Sequence, residues 1–230
     1  MPAHTAPQAA YPVEYPAPRK YVLVISCMDA RLLDDLVYFL DHDNLTNRYY
    51  HLTFAGTSLG LTARVNDDLG DPNDPPAHFA QWRQAFIDHF QAAVLLTKGT
   101  ITDVYIVQHA DCGAFREYLG RDAADMTHTA ELQMHRDYAK ALLDDIVKNF
   151  CDVYNPPGKP DPALRVQEKK PSIYTFFMDL RGGVTLLDRW PEEGKPVDRV
   201  CTNYGCQCPK KDEADKKPTT KPGKGKKPAK

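Results

Sequence analysis

The sequence predicts an α/β fold, a mostly parallel central β-sheet flanked by helices, on three observations. Two apolar runs rich in β-branched residues, Tyr21–Ser26 and 104–108, read as strands buried on both faces. Stretches with apolar residues every three or four positions stand between and after them. Strand-like and helix-like segments then alternate along the chain, the pattern of parallel strands joined by helical crossovers. With 230 residues, 42% hydrophobic and 26% charged, the chain can bury one large core without a disulfide scaffold.

Residues 1–19 hold five Pro among Ala, Tyr and His without periodicity and read as an extended arm ahead of a domain over 20–190. After the strand Tyr21–Ser26, the residues Leu32, Leu33, Leu36, Val37 and Leu40 recur at helical spacing. Asp34 and Asp35 sit in that helix's first turns, where the dipole favours anions. A polar loop over 41–48 leads to a strand-like stretch, 49–54, that stops at Ala55-Gly56. The stretch 57–76 carries Gly70, Pro72, Pro75 and Pro76 among Asp and Asn, and a loop of that length is usually functional or mobile; it is long enough to cover a site. Ala77–Leu96 places Phe79, Trp82, Phe86, Phe90 and Val94 three or four apart, an amphipathic helix stopped by Lys98-Gly99. Beyond the second buried strand come a short helix, Gly113–Leu119, and a longer one over 129–149, ended by four Pro within 155–162. The segments 173–178 and 184–187, joined by a Gly-Gly turn, read as a hairpin or bent edge strand.

The range 191–230 holds Cys201, Cys206 and Cys208 and then turns to Lys, Pro, Thr and Gly, which cannot bury a core. After Pro209 nine Lys stand against three acids, a balance of +6, so the net charge of −2 leaves −8 on the rest. No aromatic residue interleaves those lysines, so they read as a charged solubilising tail ahead of a nucleic-acid surface. Only Cys151 or a distant His could give the three tail cysteines a fourth ligand, and they read as reduced thiols ahead of a structural metal site. No apolar run reaches the roughly 18 residues of a membrane span, and no basic leader precedes an apolar core. The expected setting is cytoplasmic and reducing, where Cys near His and Asp points to metal or catalysis.

Both buried strands end in such residues. The first delivers Cys27, Asp29 and Arg31; the second delivers His109, Asp111, Cys112 and Gly113. In an open parallel sheet, ligands bind outside the carboxyl ends of the strands. Two Cys and one His form a soft donor set suited to Zn2+, and three protein ligands leave a fourth position open, the mark of a catalytic zinc. Cys112 falls in the first turn of a helix, where the dipole favours thiolate. Asp29 can accept a hydrogen bond from water on the metal or take the fourth position itself, and Arg31 can hold it bidentately. Two thiolates and an imidazole leave zinc formally neutral, so it acidifies water less than a three-histidine site, and activity is expected to need mildly alkaline pH.

Cys27-x-Asp29-x-Arg31 followed by His109-x-x-Cys112-Gly113 resembles the β-class carbonic anhydrases over roughly residues 20–188. The resemblance implies zinc held by Cys27, His109 and Cys112, with Asp29 and Arg31 as the catalytic dyad. It implies reversible hydration of carbon dioxide to bicarbonate and a proton by zinc-bound hydroxide, in a homodimer or higher multiple. Gly56, Gln108, Asp111 and Gly113 are candidate pocket or supporting residues; Asp111 reads equally as a helix N-cap. Ala30 replaces the family's usual Ser, Thr53-Phe54 replaces Arg-Asn before Ala55-Gly56, Gln108 replaces a common Gly, and the 57–76 stretch is longer. Those departures leave two alternatives open: hydrolysis of carbon disulfide or carbonyl sulfide on the same scaffold, or a zinc-containing binding protein without activity. His51, His89, His128 and His135 lack ligand spacing and read as surface or packing histidines.

Overall fold

The computed structural model describes residues 21–62, 77–97, 99–154, 171–192, 201–202 and 205–206. The expectations for the arm over 1–19, for 63–76, for the Pro break at 155–162 and for the lysine tail lie outside the described residues. In chain order the elements are β1 (Tyr21–Ser26), α1 (Leu33–His42), β2 (Tyr49–Thr53), a 3-10 turn (Leu59–Leu61), α2 (Ala77–Leu96), β3 (Ile101–His109), α3 (Gly113–Leu119), a second 3-10 turn (Ala123–Asp125), α4 (His128–Tyr154), β4 (Ser172–Met178) and β5 (Val184–Trp190). Two further strands of two residues each, β6 (Cys201–Thr202) and β7 (Gly205–Cys206), pair antiparallel with Cys201 opposite Cys206.

The main sheet runs β2-β1-β3-β4-β5, with the first four strands parallel and β5 antiparallel along the edge of β4. This is the expected α/β sheet. The chain steps from β1 out to β2, then crosses back to β3 on the other side of β1. That reversal between β1 and β3 is a topological switch point, the place where open parallel sheets bind ligands.

Pleating assigns the two faces. Leu23 and Ile25 of β1 join Val104 and Ile106 of β3 and Ile173 of β4 on one face, covered by Phe86, Phe90 and Val94 of α2 and Leu142, Leu143 and Ile146 of α4. Val22, Val24, Tyr105 and Val107 point the other way and pack under Leu36 and Leu40 of α1 and Phe115 of α3. Both faces of β1 and β3 are buried, which is why these strands read as continuous apolar runs.

Three local outcomes differ from the sequence expectation. In α1 the inward row is Leu32, Leu36 and Leu40 at intervals of four, while Leu33 and Val37 face solvent. Helix α4 begins one residue earlier than expected and runs five residues longer. The start of the 57–76 stretch is not a cover over the site: Thr57, Ser58, Leu59 and Leu61 are fully buried, and Gly60 packs so closely that a Cβ there would lie 2.5 Å from the Trp82 ring. α2 ends as predicted, with Gly99 at φ +73 and its N–H on the Val94 carbonyl.

Candidate metal centre

Cys27 directly follows β1, His109 is the last residue of β3, and Cys112 caps the N-terminus of α3. The switch point thus brings together two side chains 85 positions apart in sequence. The donor atoms of Cys27, His109 and Cys112 lie within 4.8 Å of one another, all on buried residues. The two sulfurs are 3.9 Å apart, near the roughly 3.8 Å edge of a tetrahedron with metal–sulfur bonds of about 2.3 Å.

The histidine is set for a metal. Its Nδ1 lies 2.8 Å from the Ala110 carbonyl oxygen, which can only accept, so Nδ1 carries the proton and Nε2 keeps its lone pair. Nε2 is buried without a hydrogen-bond partner among the described residues. A buried polar atom is costly to leave alone, and a metal ion would satisfy this one.

The thiols make the same demand. Hydrogen bonding from Cys112, helped by the Gly56 N–H at 3.3 Å, holds the Cys27 thiol well below its ordinary range despite burial. The adjacent Cys27 sulfur, and burial, push Cys112 up. Two thiols this close cannot both ionise unaided, and a divalent cation between them is what permits two thiolates. The residues present therefore fit a soft divalent ion such as zinc.

Asp29 and Arg31 are placed by a turn and not by an extended strand. Asp29 Oδ1 accepts from the Arg31 backbone N–H at 3.0 Å, and the Leu32 N–H reaches the Asp29 carbonyl at 3.1 Å. The Arg31 guanidinium then grips both carboxylate oxygens, Nε to Oδ1 at 3.0 Å and an Nη to Oδ2 at 2.7 Å. That guanidinium holds the Asp29 carboxyl down to about 2.

The four supporting residues divide. Gly56 touches the site through its N–H, at φ +70, where an added Cβ would lie 2.8 Å from the Leu59 Cβ. Asp111 is not the α3 cap, which is Cys112; its carboxylate and carbonyl both accept from Arg31, at 2.7 and 2.8 Å. Gln108 is one residue before the metal ligand in a strand and so points to the opposite face, where it donates to Ser58 and accepts from His135 Nδ1 at 3.2 Å. Gly113 begins α3, and a Cβ there would meet nothing closer than Arg116 at 3.6 Å. Phe54 packs edge-on to Phe86 in the α2 and α4 layer.

Sequence reasoning missed Glu131. It lies in the first turn of α4, is buried, and accepts the Asp111 backbone N–H at 2.6 Å. Its sequence signal is that of any acidic residue in a helix's opening turn, so nothing in the pattern marks it. His51 Nε2 approaches Ser26 Oγ at 2.7 Å, and burial lowers its pKa.

No family model matches the chain. It is 24% identical over 169 residues to an uncharacterized protein of Rickettsia conorii, covering 74% of this chain and 73% of that one. It is 23% identical over 172 residues to an uncharacterized protein of Rickettsia bellii, covering 74% and 84%. Among solved structures, the crystal structure of β-carbonic anhydrase isoform I from Trichomonas vaginalis aligns over 74% of this chain and 84% of that one, with a TM-score of 0.32 and 15% identity.

Proposed function

We propose that this chain is a zinc-dependent carbonic anhydrase that hydrates carbon dioxide reversibly to bicarbonate and a proton. The observation that carries the reading is the unpartnered, buried Nε2 of His109 beside two sulfurs, next to a carboxylate kept ionised by a guanidinium. Cys27, His109 and Cys112 are the residues that would hold the ion. Zinc, when bound, supplies Lewis-acid activation of water at its open position.

The rest belongs to the chain's own groups. Asp29, held near 2 by Arg31, stays ionised at any working pH and can accept but not donate a hydrogen bond. It would orient the attacking water by accepting from it. Arg31 occupies both Asp29 oxygens, which opposes the carboxylate's entry into the metal's fourth position. His109 is fixed in one tautomer by the Ala110 carbonyl, which leaves its Nε2 lone pair available to an ion that the site would hold. The oxygen of the oriented water bonds to the carbon of carbon dioxide, its proton passes to buffer, and bicarbonate leaves by exchange with water.

The test is stopped-flow hydration of carbon dioxide with metal content measured on the same sample. Zinc-loaded protein should be active, more so toward alkaline pH. Asp29→Ala should keep its zinc and lose about 100-fold in kcat. A zinc-loaded wild type without hydration anywhere between about pH 7 and 9 would overturn the reading.

A further inference from the structure

We propose that Glu131 is a positioning residue that keeps the fourth metal position accessible, acting through Asp111 and Arg31 on Asp29. The inference rests on the metal-ligand assignment above and not on the identity of the substrate. Three links join Glu131 to the site. Glu131 Oε1 accepts the Asp111 N–H at 2.6 Å. Asp111 accepts from Arg31 twice, through its carboxylate at 2.7 Å and its carbonyl at 2.8 Å. Arg31 in turn binds Asp29 with its backbone N–H and two guanidinium nitrogens.

The middle link cannot hold itself. The Arg31 and Asp111 side chains are 46% and 42% exposed, and ion pairs so open to water contribute little because solvent competes for both partners. What gives this pair its geometry is the backbone of Asp111, at φ +52 in the left-handed region. There the residue presents carboxylate and carbonyl to one guanidinium. A non-glycine residue keeps that conformation when its surroundings over-determine it. Glu131, only 7% exposed, supplies the constraint with a short bond from a helix's first turn.

Without that bond Asp111 is free to leave the left-handed conformation, Arg31 loses two of its anchors, and Asp29 gains freedom to move onto the metal. Glu131 thus acts by excluding the protein's own carboxylate from the position that an exogenous ligand needs.

The experiment loads the full chain with cobalt(II) and measures azide binding from the visible spectrum, alongside carbon dioxide hydration. Glu131→Ala should retain its cobalt and bind azide about 10-fold more weakly. Glu131→Gln keeps an oxygen for the Asp111 N–H and should restore azide affinity to within about 2-fold. In an Asp29→Ala background, Glu131→Ala should make no further difference, because the competing carboxylate is gone. Equal azide affinity in wild type and Glu131→Ala overturns the proposal; so does a loss that persists undiminished in the Asp29→Ala background, which marks a purely structural role. Should Glu131→Ala fail to fold, Asp111→Asn, at a half-exposed position, carries the same cycle with Asp29→Ala. A protein that shows this coupling yet hydrates no carbon dioxide keeps the inference and loses the proposed activity; hydration without the coupling does the reverse. Failure to bind cobalt at all removes the ligand assignment and the inference with it.

Discussion

Cys112 joins two demands in one side chain: it brings a sulfur beside Cys27 and His109 and stands at the N-cap of α3. Serine preserves the size but not the soft anionic donor. Cys112→Ser should therefore lose zinc by elemental analysis, and full retention would remove Cys112 from the ligand set. His135 makes a different residue-scale prediction. Burial holds it down to about 3, packed between the Phe115 and Phe177 rings. The unfolded chain takes up the proton near pH 6.5, so the stability tied to neutral His135 is present above that value and is lost as pH falls toward 3. His135→Phe should flatten the decline of stability on acidification below about pH 6.5. It should also lower stability at neutral pH by about 1–3 kcal/mol, because the Gln108 carbonyl loses its donor. Urea titrations across that pH range read both effects, and an unchanged slope would show that His135 is not the titrating group.

That Cys27, His109 and Cys112 come together as a donor set was legible from sequence because soft donors at the ends of apolar runs are rare and their positions follow from strand ends. Gln108 was read as a possible pocket or supporting residue, and strand alternation sends it to the face opposite His109. Glu131 was not legible at all, since its role depends on a backbone N–H twenty positions away.

At the level of elements, β1 and α3 match their expected bounds, and β3 extends further at both ends, to Ile101 and His109. Strands buried on both faces leave an unmistakable apolar run, and glycine or capping chemistry marks their ends. The turn Leu59–Leu61 escaped notice because three residues carry no periodicity and the following Gly and Pro residues drew the whole stretch into a loop. It is in fact a wedge beneath α2. Arg83 of α2 donates to the Leu61 carbonyl at 2.6 Å and pairs with Asp145 of α4, tying the turn to both helices. A methyl group at Gly60 would press on the Trp82 and Phe79 rings at 2.5 and 2.8 Å. Gly60→Ala should cost about 1–3 kcal/mol by overpacking, read as a lower urea midpoint, and an unchanged midpoint would mean that the rings give way freely.

For the whole molecule, the pattern of exposed apolar side chains bears on assembly. Met28, Leu33, Val37 and Tyr38 all face solvent along the segment that follows β1, and Leu180 and Leu186 do so on the β4–β5 hairpin. Apolar side chains grouped along one segment favour an interaction surface. Together with the β-carbonic-anhydrase-like motifs, they support the proposal of a homodimer or higher multiple. Sedimentation equilibrium on the full chain should give at least a dimer, and Val37→Glu with Tyr38→Glu should shift it toward monomer; a wild-type monomer at micromolar concentration would end that proposal. No described helix is long and apolar enough to cross a membrane.

The ligand set also has a meaning for folding. Cys27 and Cys112 are 85 residues apart and meet across the β1–β3 seam at the centre of the sheet. Bringing such distant positions together carries a loop-closure entropy that the pairing of β1 with β3 must already have overcome. An unfolded or partly zipped chain therefore offers one donor here and two there, never the set of three. On the proposed ligand set, metal affinity would report on whether the central seam is shut, and an ion captured there would bias the chain's opening and closing toward the closed sheet.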